Sequence, residues 1–259
     1  MSTIYQHFRP EEKEFIDEVL ESIRQVEEKY APKLMDFLDP RQQQILSSLL
    51  GKNSEVKAAF FGGTEQAERK RGLLYPPYFS AQQEDFQVTL FEILYPKKFA
   101  VLNHRDVLGS LMGLGLRREK FGDILANKEG RFQFIAAAEM ADFVKLHYRQ
   151  AGKVSIELEE KKFEEAIESE ESWQPVQTTV TSLRLDVMIS SYAKLSRQKV
   201  QTMIKSGFVK VNWKVVDNPA FLCAEGDIIS VRGKGRCKLL LIDDQTKKEK
   251  WRITLGLLK

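Results

Sequence analysis

Apolar residues recur every three or four positions from Phe15 onward, so that Phe15, Ile16, Val19, Leu20, Ile23 and Val26 share one helical face. Pro32 interrupts the run, and Leu34, Phe37 and Leu38 continue its apolar character. Asp39-Pro40 then marks a helix start. The carboxylate can accept from the open amides of a first turn, and proline there forfeits no hydrogen bond. Ile45, Leu46, Leu49 and Leu50 follow, and Gly51 stops the helix. Residues 1–51 are therefore expected to form a helical N-terminal domain.

The pattern next turns strand-like at residues 58–61 and 87–95, with Gly62-Gly63 as a turn. Residues 103–113 read as a helix, in which Gly109 and Gly113 lie about one turn apart and would permit close approach to a sheet. Strands at 122–127 and 131–136 flank the turn Lys128-Glu129-Gly130, and Phe132 and Phe134 are expected in the core. A helix at 137–148 and a strand at 154–158 complete the pattern. From residue 87 the order is β-α-β-β-α-β, the ferredoxin-like arrangement shared with many RNA-recognition modules. Residues 52–160 are thus read as an α+β domain.

The acidic run ELEEKKFEEAIESEESWQP ends at Pro175 and predicts a solvated linker over residues 161–181. Residues 182–259 change character again. Ser196 is a good N-cap, and Gly207 suits the left-handed residue that closes a helix. Between them Val200, Met203 and Ile204 form a core stripe, while Arg197, Gln201 and Lys205 line one flank. A strand at 209–211 runs into a tight turn at Asn212-Trp213-Lys214. Glu225-Gly226-Asp227 is a second turn, before a strand with Ile228, Ile229 and Val231. Residues 239–242 and 251–255 predict a final hairpin, with Lys247, Lys248 and Lys250 at its tip.

Charge changes this picture more than composition does. At 259 residues, 42% hydrophobic and 30% charged, the chain can build ordinary cores. Its net charge of +3 is unevenly spread, because residues 182–236 hold ten Lys and Arg against four acids. A compact positive module attracts polyphosphate. The expected RNA contacts are Arg184, Ser196, Arg197, Lys199, Gln201, Lys205, Lys210, Asn212, Lys214, Arg232, Lys234 and Arg236. Trp213 either stacks on a base or packs on its own domain. Arg117, Arg118 and Lys120 form a second basic loop and a weaker RNA patch. The glycines around them are spaced G-x-x-x-G-x-G, which is not a dinucleotide fingerprint.

Other chemistry finds little support. His7, His104 and His147 are scattered without ligand spacing, so no metal is expected. No cofactor motif is present. With no export signal and no long apolar run, the protein is expected to be cytoplasmic with no membrane span, and Cys223 and Cys237 to be reduced thiols.

The stretch resembles the S-four RNA-binding domain, named after a protein of the small ribosomal subunit. The matching pieces are Arg184-Leu185-Asp186, Ser196-Arg197, Ile204-Lys205-Ser206-Gly207, Val209-Lys210-Val211-Asn212 and Gly226-Asp227 with Ile228 and Val231. The resemblance implies two helices against a small antiparallel sheet, with RNA across the second helix and adjoining loops. Trp213 departs from it, standing where the family usually has glycine. Together with residues 104–123, this module is similar to the YlmH family of bacterial proteins. That resemblance implies an α+β chain: a helical N-terminal part, an RNA-recognition-like middle and a terminal S-four domain. It further implies ribosomal RNA or tRNA as partner, association with the large ribosomal subunit in translation quality control, and a link to cell division. A monomer is expected.

Two enzyme readings compete. Leu183-Arg184-Leu185-Asp186 matches the signature of pseudouridine synthases, whose Asp is the nucleophile, but here Asp186 opens the S-four helices instead. No Gly-rich strand–turn–helix suits a methyltransferase cofactor. The non-enzyme alternative is a cell-division adaptor that uses the acidic N-terminal part.

Overall fold

The structure is a computed structural model, described here for residues 5, 8, 12–51, 54–168, 173–246 and 248–258. His7 and Lys247 lie outside the described residues. The chain divides into two compact units, residues 1–170 and 171–259.

The first unit opens with helix α1 (Lys13–Lys29), which buries Ile16, Val19, Ile23 and Val26 as its period demands. Tyr30 closes it in the left-handed conformation. Helix α2 (Pro40–Leu49) begins at Asp39, whose carboxylate accepts from the Gln42 amide while Gln42 Oε1 accepts from Asp39 N, each at 2.9 Å. Between these helices the helical reading needs correction. Residues Lys33–Leu38 form strand β1, in which Met35 and Phe37 alternate into the core. With β2 (Lys57–Phe61) and β3 (Lys70–Tyr75), β1 makes an antiparallel sheet ordered β1-β3-β2. The central strand of the first module therefore lies beyond residue 51, and the boundary expected there cuts through one sheet.

The middle part follows the expected order: β4 (Val88–Leu94), α3 (His104–Gly113), β5 (Phe121–Ala126), β6 (Phe132–Ala137), α4 (Ala141–His147) and β9 (Glu157–Lys161). A short hairpin of β7 (Gln150–Ala151) and β8 (Val154–Ser155) precedes β9. The sheet order β5-β6-β4-β9 puts first and third strands at the centre. One face carries Phe91, Ile93 and Phe134 against Val107 and Leu111 of α3 and Val144 of α4. Phe132 and Phe134 are buried there, and Phe134 stacks on Phe91 at 5.2 Å. Gly109 and Gly113, expected at a close helix–sheet contact, meet nothing; a Cβ at either would point into open space.

The opposite face is covered as well. Leu90, Leu125 and Ile135 pack with Phe37 of β1 and with Ile167, which follows β9. Gly122 admits the Phe37 ring, since a Cβ there would lie 2.8 Å from it. Buried Gln133 fastens the crossing segment: Nε2 donates to the Glu165 carbonyl at 3.1 Å, and Oε1 accepts from Ile167 N at 2.8 Å.

The second unit is a six-stranded antiparallel sheet with two helices on one face. Its elements are β10 (Trp173–Val180), α5 (Leu185–Ala193), α6 (Arg197–Lys205), β11 (Val209–Val211), β12 (Lys214–Val215), β13 (Ile228–Val231), β14 (Gly235–Gln245) and β15 (Trp251–Leu258). The strand order is β10-β15-β14-β13-β11-β12. Leu185, Met188, Ile189, Val200 and Ile204 of the helices meet Val209, Val211, Ile229, Val231 and Leu239 of the sheet. The linker expected over 161–181 is much shorter. Residues 163–167 pack on the middle sheet, and β10 pairs with β15 from Trp173–Leu258 to Val180–Trp251. Pro175 fits this strand because it is an edge strand, where a missing N–H need break no ladder. No helix among the described residues is long and apolar enough to cross a membrane.

Phe37→Ala removes the ring shared by the two layers of the first unit. It should cost about 3–5 kcal/mol and, in hydrogen exchange, loosen β3 and β6 together. Loss of protection confined to one of them would mean that the layers do not share a core.

Candidate nucleic-acid interface

Arg184 precedes α5, and Asp186 lies in the first turn of that helix with its side chain wholly buried. The Leu185 amide donates to Phe221 O at 2.8 Å and the Asp186 amide to Pro219 O at 3.1 Å, which fixes the helix start against the loop before β13. Three predicted RNA contacts then converge on the Asp186 carboxylate. Arg184 grips both oxygens, with Nε 3.1 Å from Oδ1 and Nη2 3.2 Å from Oδ2. Arg197 Nη2 and Gln201 Nε2 donate to Oδ2 at 2.8 and 2.9 Å. Arg197 and Gln201 are four residues apart on α6, so one helix flank delivers both.

Burial alone would raise the Asp186 pKa, but the hydrogen bonds from Arg184, Arg197 and Gln201 outweigh it and hold the carboxyl at about 2. The group is an anion at neutral pH, enclosed by donors, and is not presented as a nucleophile. The guanidinium groups remain reachable: the Arg184 side chain is 38% exposed and that of Arg197 55%. Each keeps N–H groups directed away from Asp186, in an orientation set before any ligand arrives. Such pre-set forks suit phosphate.

The rest of α6 follows the cap-and-stop logic. Ser196 Oγ accepts from Lys199 N at 3.4 Å. At the far end Gly207 (φ +74°) donates to Ile204 O and Phe208 N to Met203 O, both at 3.0 Å, a Schellman closure. Lys199 and Lys205 are exposed on the helix.

The remaining predicted contacts do not all join this surface. Asn212 and Trp213 form the two-residue turn between β11 and β12, with φ +48° and +63°, the backbone of a type I′ hairpin. Trp213 takes a left-handed conformation that glycine would adopt more easily, and it is half-buried. The Asn212 amide serves the fold. Its Nδ2 donates to Asp227 at 2.8 Å, and its Oδ1 accepts from Ile228 N at 2.9 Å. Lys214 sits at the start of β12. Lys210 alternates with buried Val209 and Val211 on β11, so it faces away from the helices. Arg232 and Arg236 flank the β13–β14 turn with Lys234, and Arg236 stands opposite Ser230 on that same outer side. The single basic face read from the sequence is thus two surfaces, one on each side of the sheet.

The second patch needs a larger correction. Arg118 donates to the Phe121 and Gly122 carbonyls at 2.6 and 3.1 Å, and burial lowers its pKa to about 10. Lys120 bridges Asp36 at 2.6 Å and Glu139 at 3.1 Å. Burial opposes its charge, but those carboxylates prevail and raise its pKa. Arg71, buried in β3, also pairs with Glu139 at 3.0 Å. Arg117 reaches Asp36 at 2.9 Å yet stays 72% exposed. The loop therefore ties β1 to the middle sheet, and Arg117 alone of the three presents its cation to solvent.

Among the described residues no group of three or more His, Cys, Asp or Glu could hold a metal. Cys223 and Cys237 are free and buried, and burial pushes both thiols up to about 12, which leaves them unreactive. The role of Asp186 as a hub was not legible beforehand, although its sequence signal, an acid followed by Arg and Gln four apart, was present.

Three family descriptions match the chain: YlmH, N-terminal, at residues 11–79; putative RNA-binding domain in YlmH, at 81–165; and the S4, or S-four, domain at 183–229. A curated relative, Ribosome-associated protein quality control protein P2 of Bacillus subtilis (strain 168), is 48% identical over 254 residues, 98% of each chain. A solved structure described as cell division protein ylmH from Streptococcus pneumoniae is 36% identical, with a TM-score of 0.55, covering 64% of this chain and 100% of that one.

The Asp186 pKa has a stability consequence with a definite sign. A carboxyl held near 2 when folded and near an ordinary ~3.9 when unfolded stabilises the fold above pH ~4 and loses that contribution as pH falls through about 2. Asp186→Asn should cost about 2–3 kcal/mol at neutral pH and flatten the acid dependence in that window. Urea titrations at several pH values measure both effects.

Proposed function

The chain belongs to the YlmH family, and on that footing we propose that it is a non-catalytic RNA-binding protein of the large ribosomal subunit. It grips folded ribosomal RNA or tRNA through the helix side of its S4 domain. One observation carries the reading: a buried carboxylate orients Arg184, Arg197 and Gln201, and the exposed Lys205 continues their flank of α6. Fixed guanidinium groups and a helix N-terminus suit a phosphate backbone. Few of these side chains read bases, so selectivity comes from RNA shape. The name of the Bacillus subtilis relative associates that protein with ribosome quality control, which supports the same setting here. The protein works in the cytoplasm as a monomer. A cell-division role is the second reading, favoured by the description of the Streptococcus pneumoniae structure. It predicts a protein partner that survives nuclease treatment.

The protein should sediment with free large subunits at low salt and leave them as salt rises. Arg197→Ala with Lys205→Ala should stay at the top of the gradient while remaining folded by circular dichroism. Removing one phosphate contact should reduce the log–log salt slope by ~0.7–0.9. Wild-type protein that remains in the soluble fractions at low salt, with stalled subunits in excess, would overturn the reading.

The second patch enters this reading only through Arg117. Arg117→Ala should lower RNA affinity about two- to fivefold, the order of one exposed phosphate contact. Lys120→Ala should instead lower the melting temperature of the first unit. Calorimetry alongside RNA titration separates the two.

A further inference from the structure

The side of the C-terminal sheet away from the helices has its own chemistry. Phe208 follows the Gly207 turn and is held by two backbone bonds of 3.0 Å, its amide to Met203 O and its carbonyl from Arg232 N. Its ring is 41% exposed, and the Arg232 guanidinium lies over it at 5.1 Å. Lys210 follows two residues along β11 on the same side, level with Ser230. Ile228 of β13 stands opposite Lys238 of β14, which again puts a lysine on the side away from the helices. Residues 208–211 and 228–242 contain no carboxylate. Gly233 and Gly235 leave the β13–β14 turn open, since a Cβ at either would meet nothing.

We propose that this outer face, centred on the Phe208–Arg232 stack, is a second RNA-binding surface that takes an unpaired nucleotide. The base stacks on the guanidinium plane or the ring, and Lys210 and Lys238 meet the flanking phosphates. Two features favour RNA over an acidic peptide. An acidic peptide needs only cations, whereas an exposed aromatic ring bearing a flat guanidinium matches the π face of a base. The backbone around the stack is also fixed in advance, so little order is lost on binding. A base within a duplex is already stacked, which makes a loop or single-stranded segment the ligand. This surface is distinct from the α6 flank, although the inference rests on the RNA-binding reading above.

The test uses the full chain, a short unstructured fluorescent oligoribonucleotide, a fluorescent RNA hairpin whose tight loop keeps its bases stacked on one another, and a poly-glutamate peptide. Arg232→Ala and Arg232→Lys should both weaken binding of the unstructured RNA about tenfold, the order of one base stack removed. Lysine restores the charge but not the plane. Hairpin affinity should fall no more than in Lys250→Ala, a charge control in the exposed β14–β15 turn. Phe208→Leu should repeat the loss for unstructured RNA while keeping an apolar residue beside Met203. Full rescue by Arg232→Lys would reduce the site to charge and overturn the proposal. Equal loss of poly-glutamate binding would overturn it in favour of an acidic protein partner. If wild type binds the hairpin but the Arg232 variants bind unstructured RNA normally, this inference alone fails. If wild type binds neither RNA, the reading of the helix side fails with it.

Discussion

An ionised carboxylate out of contact with water persists only when its oxygens are engaged by strong donors. Asp186 meets that condition with two guanidinium groups and a primary amide. The demand has structural reach. It fixes the residue before α5 and the first two turns of α6 to one point, while the backbone of the same segment is bonded to residues 219 and 221. It also has a chemical result. Arg184 and Arg197 are long side chains that would otherwise lose rotamer freedom on meeting a ligand. Here the fold has already fixed them, and their outward N–H groups stand in a set geometry.

Asp36 shows the same chemistry with the opposite outcome. It also gathers cations, with Lys120 and Arg117 at 2.6 and 2.9 Å and Arg71 at 3.8 Å. Yet Arg71 is buried, and a second carboxylate, Glu139, shares Lys120. Lys120 and Arg71 neutralise acids where β1 meets the middle sheet, and their charge is consumed inside the unit. The number of basic residues in a loop therefore says little about nucleic-acid binding. Whether the pairing leaves the cation exposed, as for Arg197, or encloses it, as for Lys120, decides it.

Much of this was legible from local pattern. The period of α1, the Asp39 and Ser196 caps, the Gly207 stop and the β-α-β-β-α-β order are each specified within a few residues. What escaped depends on distant partners. Strand β3 reads poorly because it opens on Lys70-Arg71-Gly72 with no apolar side chain, and Arg71 is tolerable in its buried position only because Met35 O, Gln87 O and Glu139 accept from it. Residues 173–180 look like the tail of a linker until β15 pairs with them. Asn212 looks available for a base until Asp227 and Ile228 take up its amide. In each instance the deciding interaction is long-range, and neither propensity nor spacing encodes it.

The two sheets differ in which face they leave open. RNA-recognition modules of the β-α-β-β-α-β kind bind through an open sheet face. The middle sheet has that strand order, but Phe37 and residues 163–167 cover the face its helices leave bare. The open-face mode of RNA binding is therefore closed to this sheet, although residues 81–165 match a putative RNA-binding domain. In the second unit the helices occupy one face and bury Val209, Val211, Ile229 and Val231. Antiparallel sheets can keep their other face wet, and strict alternation then places Lys210, Ser230 and Arg236 on that side. Which face a sheet leaves open is settled by what packs across it. In this protein that choice closes the sheet whose topology suggested RNA and leaves accessible the one whose charges do.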